Sequence, residues 1–141
     1  TMMKILLAVD GSAYTKKMLA YLAVHDLLSP SNSYTAITVQ MVLPAQARSA
    51  LGKDAVKKYY EDDAGKISTP ASKFLHRHGI NAKFVRKIGN PGELIAKLAK
   101  DDKFDLVVMG SHGHNSLLNL IMGSVTTQVL AHCCVPVLII R

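Results

Sequence analysis

The sequence predicts a doubly wound α/β fold: a five-stranded parallel sheet in the order 3-2-1-4-5, with helices on both faces. Three observations carry that prediction. Short apolar runs alternate with stretches of helical periodicity along the whole chain. No hairpin turn joins any two of the apolar runs. Small, turn-forming residues follow the first and fourth runs, as Asp10-Gly11-Ser12 and as the loop from Gly110 to His114. Strands separated by helices pair in parallel through right-handed crossovers. In such sheets the crevice for ligands lies outside the carboxyl ends of the strands where the order reverses, here between the first and fourth strands.

Each element has its own signal. Residues 5–9 are continuously apolar, as expected of a strand covered on both faces. Leu19, Leu22, Ala23 and Leu27 then recur at helical spacing until Pro30-Ser31-Asn32-Ser33 stops the helix. Residues 36–43 read as a second strand closed by Pro44. From Leu51 to His78 the chain reads as one long helix with Ala55, Tyr59, Ile67, Phe74 and Leu75 inward, breakable at Gly65 or before Pro70 and capped by Gly79. A third strand is expected where Ile80, Ala82 and Phe84 alternate with Asn81 and Lys83. Asn90-Pro91-Gly92-Glu93 has the residue order of a helix start: Asn as N-cap, Pro at the first position and an acid at the third. Residues 104–109 form the fourth strand, an apolar stretch over 117–122 leads to Gly123, residues 124–133 form the last helix and 136–140 the last strand.

Composition limits the function classes. The 141 residues are 49% apolar and 19% charged, enough to build one compact domain over residues 1–141 and incompatible with a disordered linker. No apolar run approaches the ~18 residues of a membrane span, and five apolar residues after Lys4 are too few for a signal-peptide core. A cytoplasmic location is expected. The net charge of +7 favours anionic partners, yet the lysines and arginines are scattered without a dense tract, so direct nucleic-acid binding is not expected. Cys133 and Cys134 are adjacent and cannot staple the fold; they read as small apolar residues beside a strand in a reducing compartment.

The richest constellation is Gly110-Ser111-His112-Gly113, nine further residues, then Gly123-Ser124-Val125. Glycines at 110 and 113 let the backbone bend and approach a ligand without a Cβ in the way. Ser124 starts a helix whose free N–H groups and positive dipole end suit a phosphate. The same residue types serve ordinary loops and N-caps, so a structural reading of this segment, and N-cap roles for Ser12 and Ser124, stand beside the phosphate reading. No G-x-x-x-x-G-K-(S/T) loop or G-x-G-x-x-G after the first strand is present. No nucleophile–base–orienter set can be assembled, and His76-x-His78 on a helix splays its rings apart, so neither catalytic nor metal-ligating residues are assigned.

These segments together resemble the universal stress protein family. Ile5-Leu6-Leu7-Ala8-Val9-Asp10-Gly11-Ser12, Asp105 to Gly113, Gly123-Ser124-Val125 and the ending Pro136-Val137-Leu138-Ile139-Ile140-Arg141 carry the likeness, and G-2x-G-9x-G-(S/T) is the ATP-binding signature of that family. The resemblance implies an adenine-nucleotide alpha-hydrolase-like, Rossmann-like arrangement holding ATP, or ADP or AMP. Asp10 would then contact the ribose or adenine side, backed by Ala8 and Val9. Met41 and Val42 would line the adenine slot, and Met109 and Gly110 would lie under the ribose and first phosphate. His112, Gly113, Gly123, Ser124 and Val125 would hold the phosphates. A magnesium or manganese ion would ride on the phosphates, because no carboxylate cluster lies nearby.

The function so implied is that of a nucleotide-dependent stress-response regulator with at most weak ATP hydrolysis. A protein-interaction module with a vestigial nucleotide site and a slow nucleotide-hydrolysing enzyme are the alternatives. His112 and His114 stand where many relatives carry Arg or Lys, which implies weaker and pH-dependent phosphate binding. The last strand has no charge before Arg141, whereas Lys83, Arg86 and Lys87 protect the third. A homodimer paired antiparallel through residues 135–140, from Val135 to Ile140, is therefore expected.

Overall fold

A computed structural model of the chain describes residues 2–114 and 121–141. Five strands form one parallel sheet in the order β3-β2-β1-β4-β5, from β1 (Lys4–Ala8), β2 (Ser33–Gln40), β3 (Lys83–Ile88), β4 (Leu106–Gly110) and β5 (Val137–Ile140). The described helices are α1 (Ala13–Val24), α2 (Ala45–Leu51), α3 (Lys53–Arg77), α4 (Pro91–Asp101) and α5 (Ser124–His132). The expected doubly wound order is therefore the observed one, with β1 paired to both β2 and β4.

Alternation along the strands creates two apolar layers. Ile5, Leu7, Tyr34, Ala36 and Val108 pack with Met18, Leu19 and Leu22 of α1 and with Ala71 and Leu75 of α3. Leu6, Ile37, Val107 and Met109 pack on the other face with Ile95 and Ala99 of α4 and Val129 of α5. Leu6, Leu7, Val107 and Val108 lose nearly all solvent contact, and each such burial stabilises by roughly 1.5–3 kcal/mol. Among the described residues no helix is long and apolar enough to cross a membrane.

Several boundaries differ from the sequence expectation. The second strand begins at Ser33 and ends at Gln40, earlier than residues 36–43, because Ser33, Tyr34 and Thr35 pair with Lys4, Ile5 and Leu6. The third strand lies at Lys83–Ile88, beyond residues 80–84. Ile80 is instead the apolar anchor that closes α3: its N–H donates to Leu75 O at 2.9 Å, and Gly79 N–H donates to His76 O at 3.0 Å with Gly79 at φ +76°. That pair of bonds is a Schellman stop. Arg86 and Lys87 belong to β3 because an edge strand tolerates charge on both faces.

The first helix starts earlier than its leucine pattern, at the Ser12 cap, and ends before Leu27. Residues 45–51 form a separate short helix that the sequence reading missed. α3 then runs unbroken through Gly65 and Pro70. Its buried residues are Tyr60, Ala64, Ala71 and Leu75, whereas Ala55 and Tyr59 are exposed. A proline inside a helix removes one donor and crowds the preceding turn, and burial of Ala64, Ala71 and Leu75 on either side outweighs that cost. Cys133 is half-buried, with Sγ 3.6 Å from Val135 O, and Cys134 is exposed rather than packed inward. The expected apolar stretch over 117–122, and Asn115 of the preceding loop, fall mainly outside the described residues.

Gly65 occupies an interior helical position, and nothing lies within 4 Å of the point where its Cβ would sit. Gly65→Ala should therefore stabilise the fold by about 0.5–1 kcal/mol, the difference in helix propensity. Urea unfolding checks this, and a lower midpoint would show that α3 needs the glycine for another reason.

Candidate functional site

The carboxyl end of β1 turns sharply at Asp10-Gly11-Ser12, and the bonding there is dense. Asp10 Oδ1 accepts from Ser12 N–H at 2.9 Å and from Thr15 Oγ1 at 2.7 Å, while Asp10 N–H donates to Thr15 Oγ1 at 3.1 Å. Ser12 is the N-cap of α1, its side chain accepting from Thr15 N–H at 3.3 Å. Both bonds to the Asp10 carboxylate fall on Oδ1. Oδ2 is turned toward Gly113, where an added Cβ would come within 2.6 Å of it. Any side chain at position 113 would therefore displace the carboxylate.

The end of β4 is tied to α5 in a similar way. Gly123 N–H donates to Ser111 O at 2.7 Å, and buried Thr126 donates through Oγ1 to Gly110 O at 3.0 Å. A Cβ on Gly123 would stand 3.1 Å from His112 Cα, so helix and loop meet backbone to backbone. Ser124 is the first residue of α5 and not its cap: Gly123 is the N-cap, and no side chain closes the helix end. The first-turn N–H groups of such a helix have no intrahelical acceptor. They carry the positive end of the helix dipole.

The histidine loop is braced from both sides. Ser111 Oγ and His112 Nδ1 share a hydrogen bond of 2.8 Å, and the His112 ring lies against Tyr14 of α1 with centroids 4.8 Å apart. His114 reaches across to the β1 turn, its Nε2 2.5 Å from Asp10 O.

Between these walls lies a cleft of about 300 Å³ at the switch point of the sheet. Of the residues singled out from sequence, Ala8, Val9, Asp10, Met41, Met109, Gly110, His112, Gly113, Gly123, Ser124 and Val125 line it, and Val42 does not. Val42 is exposed, one residue further along a segment that has already left the sheet. Thr15, Ile37, Val39, Asn90, Pro91, Ile95, His114, Thr126 and Gln128 also line the cleft. The alternation that brings Met41 to it also brings Val39 and Ile37, which was legible in the sequence. Asn90 caps α4 through Oδ1 on Glu93 N–H at 3.1 Å. Its second position, on the cleft wall, carried no local signal.

The lining is chemically divided. Ile37, Val39, Met41, Ile95 and Met109 make an apolar end, whereas Asp10, His112, Gly113 and Ser124 make a polar one. Among the described residues, Asp10 is the one carboxylate in the lining. Among the described residues no three His, Cys, Asp or Glu side chains are grouped to hold a metal ion.

Fold and cleft together define a doubly wound α/β protein with a crevice at its topological switch point. A model of the universal stress protein family matches residues 2–141, and the chain belongs to that family. The universal stress protein Slr1230 of Synechocystis is 31% identical over 141 residues, covering 100% of this chain and 43% of that protein. The chain spans less than half the length of Slr1230, and its matched segments cover about half of two further relatives. The solved structure of MJ0577 from Methanocaldococcus jannaschii superimposes with a TM-score of 0.82 at 27% identity, covering 98% of this chain and 94% of that one. The same fold recurs at lower identity in two structures with nucleotides. One is a universal stress protein of Archaeoglobus fulgidus in complex with dAMP (TM-score 0.66, 19% identity, 99% and 98% coverage). The other is an Arabidopsis thaliana family member with AMP bound (TM-score 0.67, 16% identity, 98% and 90% coverage).

Thr126 is buried, and its hydroxyl donates to the terminal carbonyl of β4. Thr126→Val keeps the shape and removes that donor, which should cost about 1–2 kcal/mol because the carbonyl loses its partner. Equilibrium unfolding measures it; an unchanged midpoint would mean that this bond does not hold the wall of the cleft.

Proposed function

We propose that the chain binds an adenine nucleotide, ATP or its di- or monophosphate, in the switch-point cleft and acts as a nucleotide-dependent stress-response regulator. The observation that carries this reading is the division of one cleft into an apolar end and a helix N-terminus without a side-chain cap. An adenine ring suits the first and phosphate suits the second. The AMP and dAMP complexes of similarly folded family members support the choice of base.

In this reading the base lies against Ala8, Val9, Met41 and Met109, and the ribose beside Gly110 with its hydroxyls toward Asp10 Oδ2. The phosphates take the backbone N–H groups of Gly113, Ser124 and Val125, with His112 at their side, while Gly123 N–H stays on Ser111 O and seats the helix. Val42 lies off the wall, and Met41 alone serves that edge of the slot. A magnesium or manganese ion would be held by the phosphates, since Asp10 is already committed to the turn. No hydrolytic step is assigned.

Two changes test the site. Gly113→Val would force a side chain into the space of Asp10 Oδ2, and binding of ATP measured by calorimetry should vanish while the protein still unfolds cooperatively. Ser124→Ala should weaken binding by only ~1 kcal/mol, one net hydrogen bond, because the helix N–H groups remain. Valine at 113 binding as tightly as glycine would refute the phosphate loop.

We further propose a two-fold homodimer through β5. That strand is an edge of the sheet, with Leu138 exposed and no charge before Arg141, and bare apolar edges recruit another strand. Ile139→Pro removes an edge donor and should convert a sedimenting dimer to monomer. A monomer at micromolar concentration for the unsubstituted protein would contradict the dimer.

A further inference from the structure

The segment joining β2 to α2 passes directly along the base end of the cleft, and its position is set from behind. Alternation puts Ile37, Val39 and Met41 on the cleft side and Thr38 and Gln40 on the side of α3. Gln40 is buried, and its Nε2 donates to Tyr60 O at 3.1 Å and to Asp63 Oδ2 at 3.0 Å. Both acceptors lack protons, which fixes the orientation of the Gln40 amide. Tyr60 is buried as well, and its hydroxyl accepts from Leu43 N–H at 2.9 Å. On the other side, Gly89 N–H donates to Gln40 O at 2.8 Å. Residues 41 and 42, between these anchors, are exposed and belong to no strand or helix.

Two further buried oxygens, Thr38 Oγ1 and Gln40 Oε1, have no hydrogen-bond partner. This joint is therefore the polar centre of an otherwise apolar contact between α3 and the sheet. Buried polar groups are costly where packing alone would serve. Their presence here goes with a requirement for a defined chain path instead of mere burial.

We propose that Tyr60 is a positioning residue for the nucleotide cleft. Its hydroxyl holds Leu43, its carbonyl holds Gln40, and the two anchors keep Met41 against the place of the base. This rests on the nucleotide reading above and extends it to a residue on α3 that does not line the cleft. The protein thereby gains a direct link from the base end of its cleft to its longest described helix.

The test uses Tyr60→Phe with Tyr34→Phe as its control. Tyr34 is also buried, and its hydroxyl accepts a backbone N–H, that of Ser29, at 2.9 Å. Tyr34 sits at the opposite end of β2 from Gln40. Two quantities are read: ATP affinity by calorimetry, and the exchange rate of the Leu43 amide by NMR in the nucleotide-free protein. Tyr60→Phe should weaken ATP binding by about fivefold, the equivalent of one net hydrogen bond, and speed Leu43 exchange several-fold. Tyr34→Phe should leave both quantities unchanged, which separates positioning from a general loss of stability. If the unsubstituted chain binds ATP and Tyr60→Phe binds it equally well, the positioning role is overturned and the nucleotide site stands. Unchanged Leu43 exchange in Tyr60→Phe overturns it too. Failure of the unsubstituted chain to bind ATP removes the nucleotide reading and the positioning role with it.

Discussion

The end of β4 and the start of α5 meet backbone to backbone, and the architecture of the cleft follows from that contact. Gly123 donates to Ser111 O, Thr126 donates to Gly110 O, and His112 Cα stands where a Cβ on Gly123 would begin to press. A helix seated this closely points its first-turn N–H groups across the carboxyl edge of the sheet. Because β4 is the neighbour of β1, those groups face the Asp10 turn across the crevice. The helix leaves its N-terminus without a side-chain cap, and that is where an anion is stabilised most.

The opposite wall depends on a different constraint. Asp10 is used twice within its own turn, through Oδ1, which fixes both the N-terminus of α1 and the direction of Oδ2. Gly113 must then stay without a side chain, since its Cβ would enter the space of that oxygen. One carboxylate thus couples the two loops, and His114 adds a second tie to Asp10 O. The third wall, at the base end, is held from the far side of the sheet by Gln40 and Tyr60. Three separately anchored walls thus define the cleft.

The fold was legible in the sequence wherever the core is covered on both faces. Residues 5–9 and 104–109 read as strands because Leu6, Leu7, Val107 and Val108 admit no polar alternation, and β1 and β4 lie there. β3 was placed too early because an edge strand has little to bury: Lys83, Arg86 and Lys87 were rightly given to it, but Ile80 looked like strand while serving as a helix stop. Within α3, Tyr59 and Tyr60 are indistinguishable by composition. Only the register set by Ala64, Ala71 and Leu75 selects Tyr60 for burial. The site was legible through its glycines and the turn acid, because close approach demands those residue types. Asn90, Gln128 and Thr126 were not, since their places on the cleft wall come from the packing of α4 on α5, which no local pattern encodes.

Amide chemical shifts followed by NMR during titration with AMP test the central claim most directly. A phosphate seated at the start of α5 should move the Gly113, Gly123, Ser124 and Val125 amides most, in one saturable transition, with smaller changes at Met41 and Met109. Saturable shifts confined to the charged β3 edge, or amides at the start of α5 that do not move, would contradict it.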